Sequence, residues 1–410
     1  MNILLAGQAY YRRDNGQAVF TINLAEGLAS AGHHVLVLAP SATRRSERWQ
    51  ERGVQIQTVP TLPLFNNTNV TAFAGGVINA TLDQFQPDVV HIQDHYFLSR
   101  AVLKAAHARG ILTVGTNHFL PENLTDNILR HGMFATLLQK PVEHLLWKTM
   151  LDVYNQLAAV TTPTATAAAI LRSQGIQPPV SAISCGVDVN RFEPRATLDR
   201  SRMRQKYGLA PDKAILLYVG RIDREKGLDQ LIQALALLER NDLQLAIGGK
   251  GAFRPQLEEL CGELGLQQKV VFLGFVPDAD LPGLLNSVDI FAMPSHAELQ
   301  SIATLEAMAS GLPILAANAR ALPELVTPDV NGLLFSTTDV ADTARAIEKL
   351  MRLRSQWGDM GAASRKRAEH HSHTQIIARY VAWYRTHRNN KMSAQSSAAT
   401  PQMTMSLGSR

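Results

Sequence analysis

Short apolar runs alternate along the whole chain with stretches whose apolar residues recur at helical spacing. Residues 2–6, 34–39, 54–59, 89–93, 112–116 and 158–162 read as strands. Between them, 19–31 (closed by Gly32), 70–85 and 98–109 read as helices. After about residue 184 the alternation restarts. Residues 214–219, 243–247, 270–273, 288–293, 314–317 and 331–335 read as strands, and 228–238, 280–285, 302–309, 340–353, 357–370 and 375–384 as helices. Strand–helix alternation of this kind predicts parallel sheets with helices on both faces. The expected fold class is α/β, with two Rossmann-like domains. Expected boundaries are 1–184, 185–373, a helix at 374–390, and a disordered tail at 391–410 rich in Ser, Met, Gln and Thr.

Ligands bind such sheets at the carboxyl ends of their strands, so the segments after the strands hold the candidate chemistry. The first strand runs into a polar loop, 10–17, with a single glycine, Gly16, between Asn15 and Gln17. It lacks the Gly-x-Gly-x-x-Gly spacing that grips a dinucleotide pyrophosphate. Asp94 and His95 follow the strand at 89–93, and Asn117, His118 and Glu122 follow the strand at 112–116. In the second half, Arg221 and Lys226 lie between Gly220 and Gly227, after a strand and before a helix. Two cations there suit a diphosphate. Gly248-Gly-Lys-Gly251 lacks the spacing and Ser/Thr of a phosphate-binding P-loop. Asp188, in a glycine-containing turn, is expected to bond its own backbone.

The most informative stretch is 294–313. A strand leads into Glu298, and a helix from Ile302 carries Glu306, with Gly311 and Pro313 as stop signals. Seven residues separate the acids. The first-turn amides near Ser301, Ile302 and Ala303 are placed to meet an anion, and an acid deeper in the helix can accept hydrogen bonds from a sugar diol. On spacing alone, two solvated helix-surface acids explain the pattern equally well.

Composition narrows the class. A chain of 410 residues suits two domains, and 46% hydrophobic residues is a globular value. No apolar run is long enough to span a bilayer, and the amino terminus reads as a first strand instead of a secretion signal. Two cysteines, Cys185 and Cys261, form neither a metal-ligand cluster nor a disulfide framework, which fits a cytoplasmic protein. The net charge of +5 is uneven: residues 352–391 carry +7 and the rest −2. That bias fits a solvated terminal helix or an anionic membrane surface. No nucleic-acid-binding module is present. Residues 127–155 carry an apolar stripe interleaved with Arg130, His131, Lys140, His144 and Lys148, which fits core packing or an amphipathic membrane contact.

The Glu-x7-Glu block followed by Ala-Met-Ala-Ser-Gly-Leu-Pro resembles the signature of retaining, nucleotide-sugar-dependent glycosyltransferases of family four, which have the two-domain B-type fold. The resemblance covers about residues 1–390 and implies that the two domains face across a cleft, with the helix at 374–390 crossing back to the first domain. It implies that Glu306 holds the nucleotide ribose and Glu298 the donor sugar. It assigns Arg221 and Lys226 to the diphosphate, Gly16 to the loop over the cleft, and Phe275 and Val276 to the base. His118 then faces the reacting sugar. One departure is visible: many members have Phe-Gly after the first acid, where this chain has Gln300-Ser301.

Asn-His-Phe-x-Pro-Glu-Asn, at 117–123, further resembles a diacylglycerol glucosyltransferase and phosphatidylinositol mannosyltransferase-like subgroup. The expectation is therefore transfer of a hexose from a nucleotide sugar to a lipid such as 1,2-diacylglycerol, with the protein peripheral on the inner face of the membrane. UDP-glucose is the first-choice donor, then UDP-galactose and GDP-mannose. No Asp-x-Asp pair ends a strand, and the cations can replace a metal, so no metal requirement is expected. A soluble sugar or metabolite acceptor, another enzyme class on the same fold, and a non-catalytic nucleotide-sugar-binding protein are the alternatives.

Overall fold

The computed structural model describes residues 1–10, 16–41, 45–63, 69–70, 74–122, 133–195 and 199–399. Its first half is β1 (Asn2–Ala6), α1 (Gly16–Ser30), β2 (His34–Pro40), β3 (Arg48–Glu51), β4 (Val54–Val59), the two-residue pair β5 (Leu62–Pro63) and β6 (Asn69–Val70), α2 (Gly75–Phe85), β7 (Val89–Ile92), α3 (Phe97–His107), β8 (Leu112–Thr116), α4 (Met133–Tyr154), β9 (Ala159–Thr162), α5 (Ala165–Ser173) and β10 (Val180–Ala182). Eight of these strands form one sheet in the order β10-β9-β8-β7-β1-β2-β4-β3, parallel except for β3 against β4. The runs are short, apolar and buried on both faces, as parallel sheets require.

The second half is α6 (Arg200–Lys206), β11 (Ala214–Val219), α7 (Leu228–Ala236), β12 (Leu243–Gly248), α8 (Arg254–Glu263), β13 (Val270–Gly274), α9 (Leu281–Ser287), β14 (Ile290–Met293), α10 (Ile302–Ala309), β15 (Ile314–Ala317), β16 (Gly332–Phe335), α11 (Val340–Arg352), α12 (Trp357–Glu369) and α13 (His373–Ala399). Its six strands are all parallel, in the order β13-β12-β11-β14-β15-β16. The order reverses between β11 and β14, so the loops after these two strands open side by side. In the first sheet the same reversal falls between β1 and β7. Both switch points are the places where α/β sheets hold ligands.

Chain connectivity ties the halves together. The first crossing runs through 183–187 and the second through 370–373; Val187 N donates to His371 O (2.8 Å) and His373 N to Val187 O (3.0 Å). Helix α13 then packs its Ile376, Ile377, Tyr380 and Tyr384 into the core of the first domain. Inside that core His91 sits between Tyr384 Oη (2.6 Å) and Thr116 Oγ1 (2.7 Å), and Thr161 Oγ1 bonds Thr116 Oγ1 (2.6 Å) and Tyr380 Oη (3.2 Å).

Three sequence expectations need correction. Helix α1 starts at Gly16, so Gly16 and Gln17 belong to its first turn, not to a loop. The expected helix at 70–85 starts at Gly75, and Val70 pairs with Leu62 instead. Helix α13 runs past 390 to Ala399, because residues 385–399 include helix formers and no Gly or Pro. Only 400–410 of the expected tail lie outside the described residues, as do Asn15, Arg130 and His131.

Candidate active site in the interdomain cleft

A cleft of about 1100 Å³ lies between the domains. Ten of the eleven residues expected from the sequence line it: Gly16, Arg221, Lys226, Phe275, Val276, Glu298, Ser301, Ile302, Ala303 and Glu306. They come from three loops and one helix of the second domain, with Gly16 facing them from the start of α1.

Local sequence explains why Lys226 reaches Glu298. Gly227 takes a left-handed conformation (φ 63°), and a Cβ there would sit 2.6 Å from Pro294 O. Only glycine lets the loop after β11 press onto the segment that opens the acid block. Ser295 Oγ and His296 N both donate to Glu225 O (3.3 and 3.4 Å), which completes the seam. Lys226 Nζ then lies 2.7 Å from Glu298 Oε1 and 3.3 Å from Glu225 Oε1. Arg221 bonds Glu225 Oε1 (2.7 Å) and Asp223, and stays half exposed on the cleft wall. Burial lowers the Lys226 pKa, but the Glu298 and Glu225 carboxylates outweigh it and hold the ammonium above its ordinary value. Lys226 is therefore a fixed positive charge.

Ser301 caps α10: its Oγ accepts from Thr304 N (3.1 Å). The first-turn residues Ile302 and Ala303 open onto the cleft, where an anion can meet the helix N-terminus. Glu306 lies one turn deeper on the same wall. The side chain of Phe275 is well exposed, and Lys250 Nζ stands 5.2 Å from its ring centroid. Together they make a flat apolar surface with a cation over it.

On the first-domain side, buried Asp94 orders the approach to the cleft. Its Oδ2 accepts from Gln8 N (2.6 Å) and Gln17 Nε2 (3.4 Å), and its Oδ1 from Ser99 Oγ (2.7 Å) and Tyr96 N (3.0 Å). Burial raises the Asp94 pKa, and these four hydrogen bonds oppose the rise.

His118 is the expected residue that does not line the cleft. It follows β8, but its ring packs 4.4 Å from Phe20 of α1, and its Nε2 is enclosed without a partner among the described residues. Burial pushes its pKa down to about 3, so the imidazole is neutral. The weaker candidates, His95 and Glu122, lie on the first-domain side; Glu122 Oε1 accepts from Trp147 Nε1 (3.3 Å). Asp188 behaves as expected, its Oδ1 accepting from Asn190 N (3.1 Å) and Arg191 N (3.0 Å).

Sequence reasoning missed several lining residues. Lys250 was visible only as part of a glycine-rich loop, and Gln300 only as a departure from a pattern. Asn23 and Glu26 of α1 gave no signal, because a polar residue on an amphipathic helix is ordinary. Among the described residues no group of three or more His, Cys, Asp or Glu is placed to hold a metal ion. Cys185 and Cys261 are both free and buried.

Residues 14–191 match the model of Glycosyltransferase Family 4, and residues 199–367 match that of Glycosyl transferases group 1. A D-inositol 3-phosphate glycosyltransferase of Mycobacterium marinum is 33% identical over 311 residues, 74% of this chain and 64% of that protein. A GDP-mannose-dependent alpha-mannosyltransferase of Corynebacterium glutamicum is 27% identical, covering 89% of this chain and 84% of the relative. An uncharacterised glycosyltransferase of Methanocaldococcus jannaschii is 36% identical over 161 residues; the matched part spans 39% of this chain and 40% of that relative. Among solved structures, sucrose-phosphate synthase of Thermosynechococcus elongatus superposes with a TM-score of 0.77 at 21% identity, covering 94% of this chain and 98% of the other. Anabaena HepE in complex with UDP-glucose gives 0.72 at 18%, covering 96% and 99%. Two successive family matches on two facing Rossmann-like domains make the halves of this chain similar to glycosyltransferases of family 4 and group 1, and the chain has the two-domain B-type fold.

Proposed function

We propose that the protein transfers a hexose from a nucleotide sugar, with retention, to a hydroxyl group of a sugar or other polyol. The observation that carries this reading is the convergence of Arg221, Lys226, Glu298, Glu306 and the N-terminus of α10 on one cleft wall. Arg221, Lys226 and the first-turn amides of α10 hold the diphosphate. Glu306 accepts from the ribose diol, Glu298 from hydroxyls of the sugar, and the base lies against Phe275 and Val276. The acceptor oxygen bonds to the anomeric carbon as the carbon–phosphate oxygen bond breaks. The acceptor proton passes to the leaving phosphate on the same face, and the two cations and helix amides stabilise the diphosphate charge as it develops. Closure of the domains excludes water.

Behind the first-domain wall of the cleft, Gln93 and Asn117 follow β7 and β8, Thr162 ends β9, and His118 follows Asn117. Each carries a buried polar atom without a hydrogen-bond partner among the described residues. None of the four lines the cleft, so a neutral, hydroxyl-rich acceptor is favoured by the relatives and not by these groups. This reverses the acceptor order expected from the sequence, because relatives named for inositol phosphate and sucrose phosphate stand beside the lipid-linked ones. UDP-glucose remains the first donor to test, with UDP-galactose and GDP-mannose after it.

A diacylglycerol acceptor is the second reading. It is favoured by Lys140, His144, Leu145 and Lys148, which are exposed together along α4. No described helix is long and apolar enough to cross a membrane. The test is a radiolabel transfer assay. Each nucleotide sugar is offered with soluble polyols in one series and with anionic vesicles containing diacylglycerol in another. Label moving into a polyol, and lost in Glu306→Ala, supports the first reading. Label moving into the organic phase supports the second. Failure to turn over any donor in either series overturns both.

A further inference from the structure

The acid loop of the second domain is plugged into the first domain at one peptide. Leu299 packs in the first domain's core, and its carbonyl accepts from Thr164 Oγ1 (2.9 Å). The neighbouring Gln300 side chain is 91% buried, since only 9% of it is exposed. Its Oε1 accepts from Cys185 N (2.7 Å) and Ser184 Oγ (2.9 Å), both in the first interdomain crossing. Ser184 Oγ in turn lies 2.9 Å from Nδ1 of His371, in the second crossing, and accepts from Gly186 N (3.2 Å).

These contacts fix the direction of the network. The Ser184 hydroxyl proton goes to Gln300, so His371 supplies its Nδ1–H. Burial, with Arg367 nearby, pushes the His371 pKa down to about 4, which keeps the ring neutral. With Oε1 committed to two donors, the Nε2 of Gln300 points the other way. No protein acceptor meets it among the described residues, and Gln300 lines the cleft between Glu298 and Ser301.

We propose that Gln300 is a specificity and positioning residue with two jobs. Its carbonyl oxygen locks the two interdomain crossings together. Its amide N–H groups donate to a hydroxyl of the donor sugar. One planar amide thereby couples the presence of a sugar in the cleft to the geometry of the hinge. A phenylalanine, common at this position in the family the sequence resembles, can do neither. This inference rests on the nucleotide-sugar reading above.

Three variants separate the two jobs. Q300E keeps an oxygen for Cys185 N and Ser184 Oγ but loses the N–H donors. Q300L loses both. S184A removes the Ser184 link between Gln300 and His371, and leaves Cys185 N on Gln300, without touching the cleft. Calorimetry would compare binding of UDP with UDP-glucose and of GDP with GDP-mannose, while amide hydrogen exchange would be followed at 184–187 and 371–373. The expected result is nucleotide diphosphate affinity within about threefold of wild type in all three variants. The gain in affinity contributed by the sugar falls at least tenfold in Q300E and Q300L but not in S184A. Exchange at the two crossings accelerates in Q300L and S184A but not in Q300E.

A Q300E protein that keeps the full sugar contribution overturns the donor job. Unchanged exchange in both Q300L and S184A overturns the hinge job. If the wild-type protein binds no nucleotide sugar, the proposed function fails and the donor job with it; the exchange experiment still decides the hinge job by itself.

Discussion

Lys226 Nζ lies 2.7 Å from Glu298 Oε1, so a single ion pair joins the loop after β11 to the acid block after β14. The pair spans the topological switch point of the second sheet. On the proposed function, a diphosphate entering the cleft competes with Glu298 for the ammonium and frees the carboxylate to turn toward the sugar. Lys226→Ala is expected to lower kcat/KM by about 10²–10³-fold, the scale for removing one preorganised charge stabiliser. Initial transfer rates check this. The raised pKa also sets a window: the ammonium's stabilising contribution is full below pH 10.5 and is lost only as the pH climbs through the higher folded value. Thermal unfolding between pH 7 and 9.5 should therefore show no loss that Lys226→Ala removes.

Asp94 predicts a second phenotype. Four donors converge on its two oxygens, and two of them, Gln8 N and Gln17 Nε2, flank the chain that leads into α1. In Asp94→Asn one oxygen becomes an NH₂ group, so donors on one side face a donor. The expected cost is about 1–3 kcal/mol. Because Gln17 adjoins Gly16 at the cleft, KM should rise more than kcat falls. Steady-state kinetics separates the two, and an unchanged KM would refute this role for Asp94.

What could be read beforehand followed from periodicity and from punctuation. Apolar runs located the strands, and Gly227 and Gly311 marked turns that both prove to have positive φ. The acid block stood out because Glu298 and Glu306 sit in a strand–turn–helix context, but spacing alone suits solvated surface acids equally well, and the family resemblance is what singles the two out. Contacts across the chain were not readable. Nothing local to Gln300 announces Cys185 or His371, and nothing local to His118 announces Phe20. Strand β3 was missed because Arg48–Glu51 is exposed and lies at the sheet edge, where no apolar alternation is needed. The length of α13 is not legible because its polar composition suits disorder as well as a solvated helix.

Three buried histidines of the first domain predict an acid limit. Burial lowers His91 to about 3, with His118 adding to it, lowers His118 to about 3, and lowers His95 to about 4, with Arg100 adding to it. In the unfolded chain all three titrate near 6.5. Below that pH the unfolded state binds protons that the folded state refuses, so stability falls as pH drops from 6.5 toward 4. The slope is at most about 1.4 kcal/mol per pH unit for each histidine. Urea unfolding at pH 7.5, 6.5, 5.5 and 4.5 should give a small decline between the first two values, where the unfolded imidazoles become half protonated, and a steep decline after them. A flat profile down to pH 4.5 would sink the argument. Tyr384→Phe removes the hydroxyl partner of His91 Nδ1 and should cost about 1–3 kcal/mol at pH 7.5.

Gly249 separates backbone strain from steric exclusion. It sits in the loop after β12 at φ 139°, with its N donating to Gly274 O (2.7 Å). A Cβ at this position would lie 1.8 Å from Gly220 O, which is backbone and cannot rotate aside. Gly249→Ala must therefore push away the segment that carries Arg221. Gly265 also has a positive φ, 66°, but a Cβ there meets nothing within 4 Å. Gly265→Ala is expected to cost about 1 kcal/mol and to leave nucleotide binding intact. Gly249→Ala is expected to cost about 3 kcal/mol or more. It should also weaken diphosphate binding at least tenfold, because the Arg221 loop can no longer rest on its neighbour. Thermal unfolding and calorimetric titration with UDP and GDP on the two variants decide it. Equal behaviour of the pair would mean that the contact between the two glycine loops does not shape the diphosphate site.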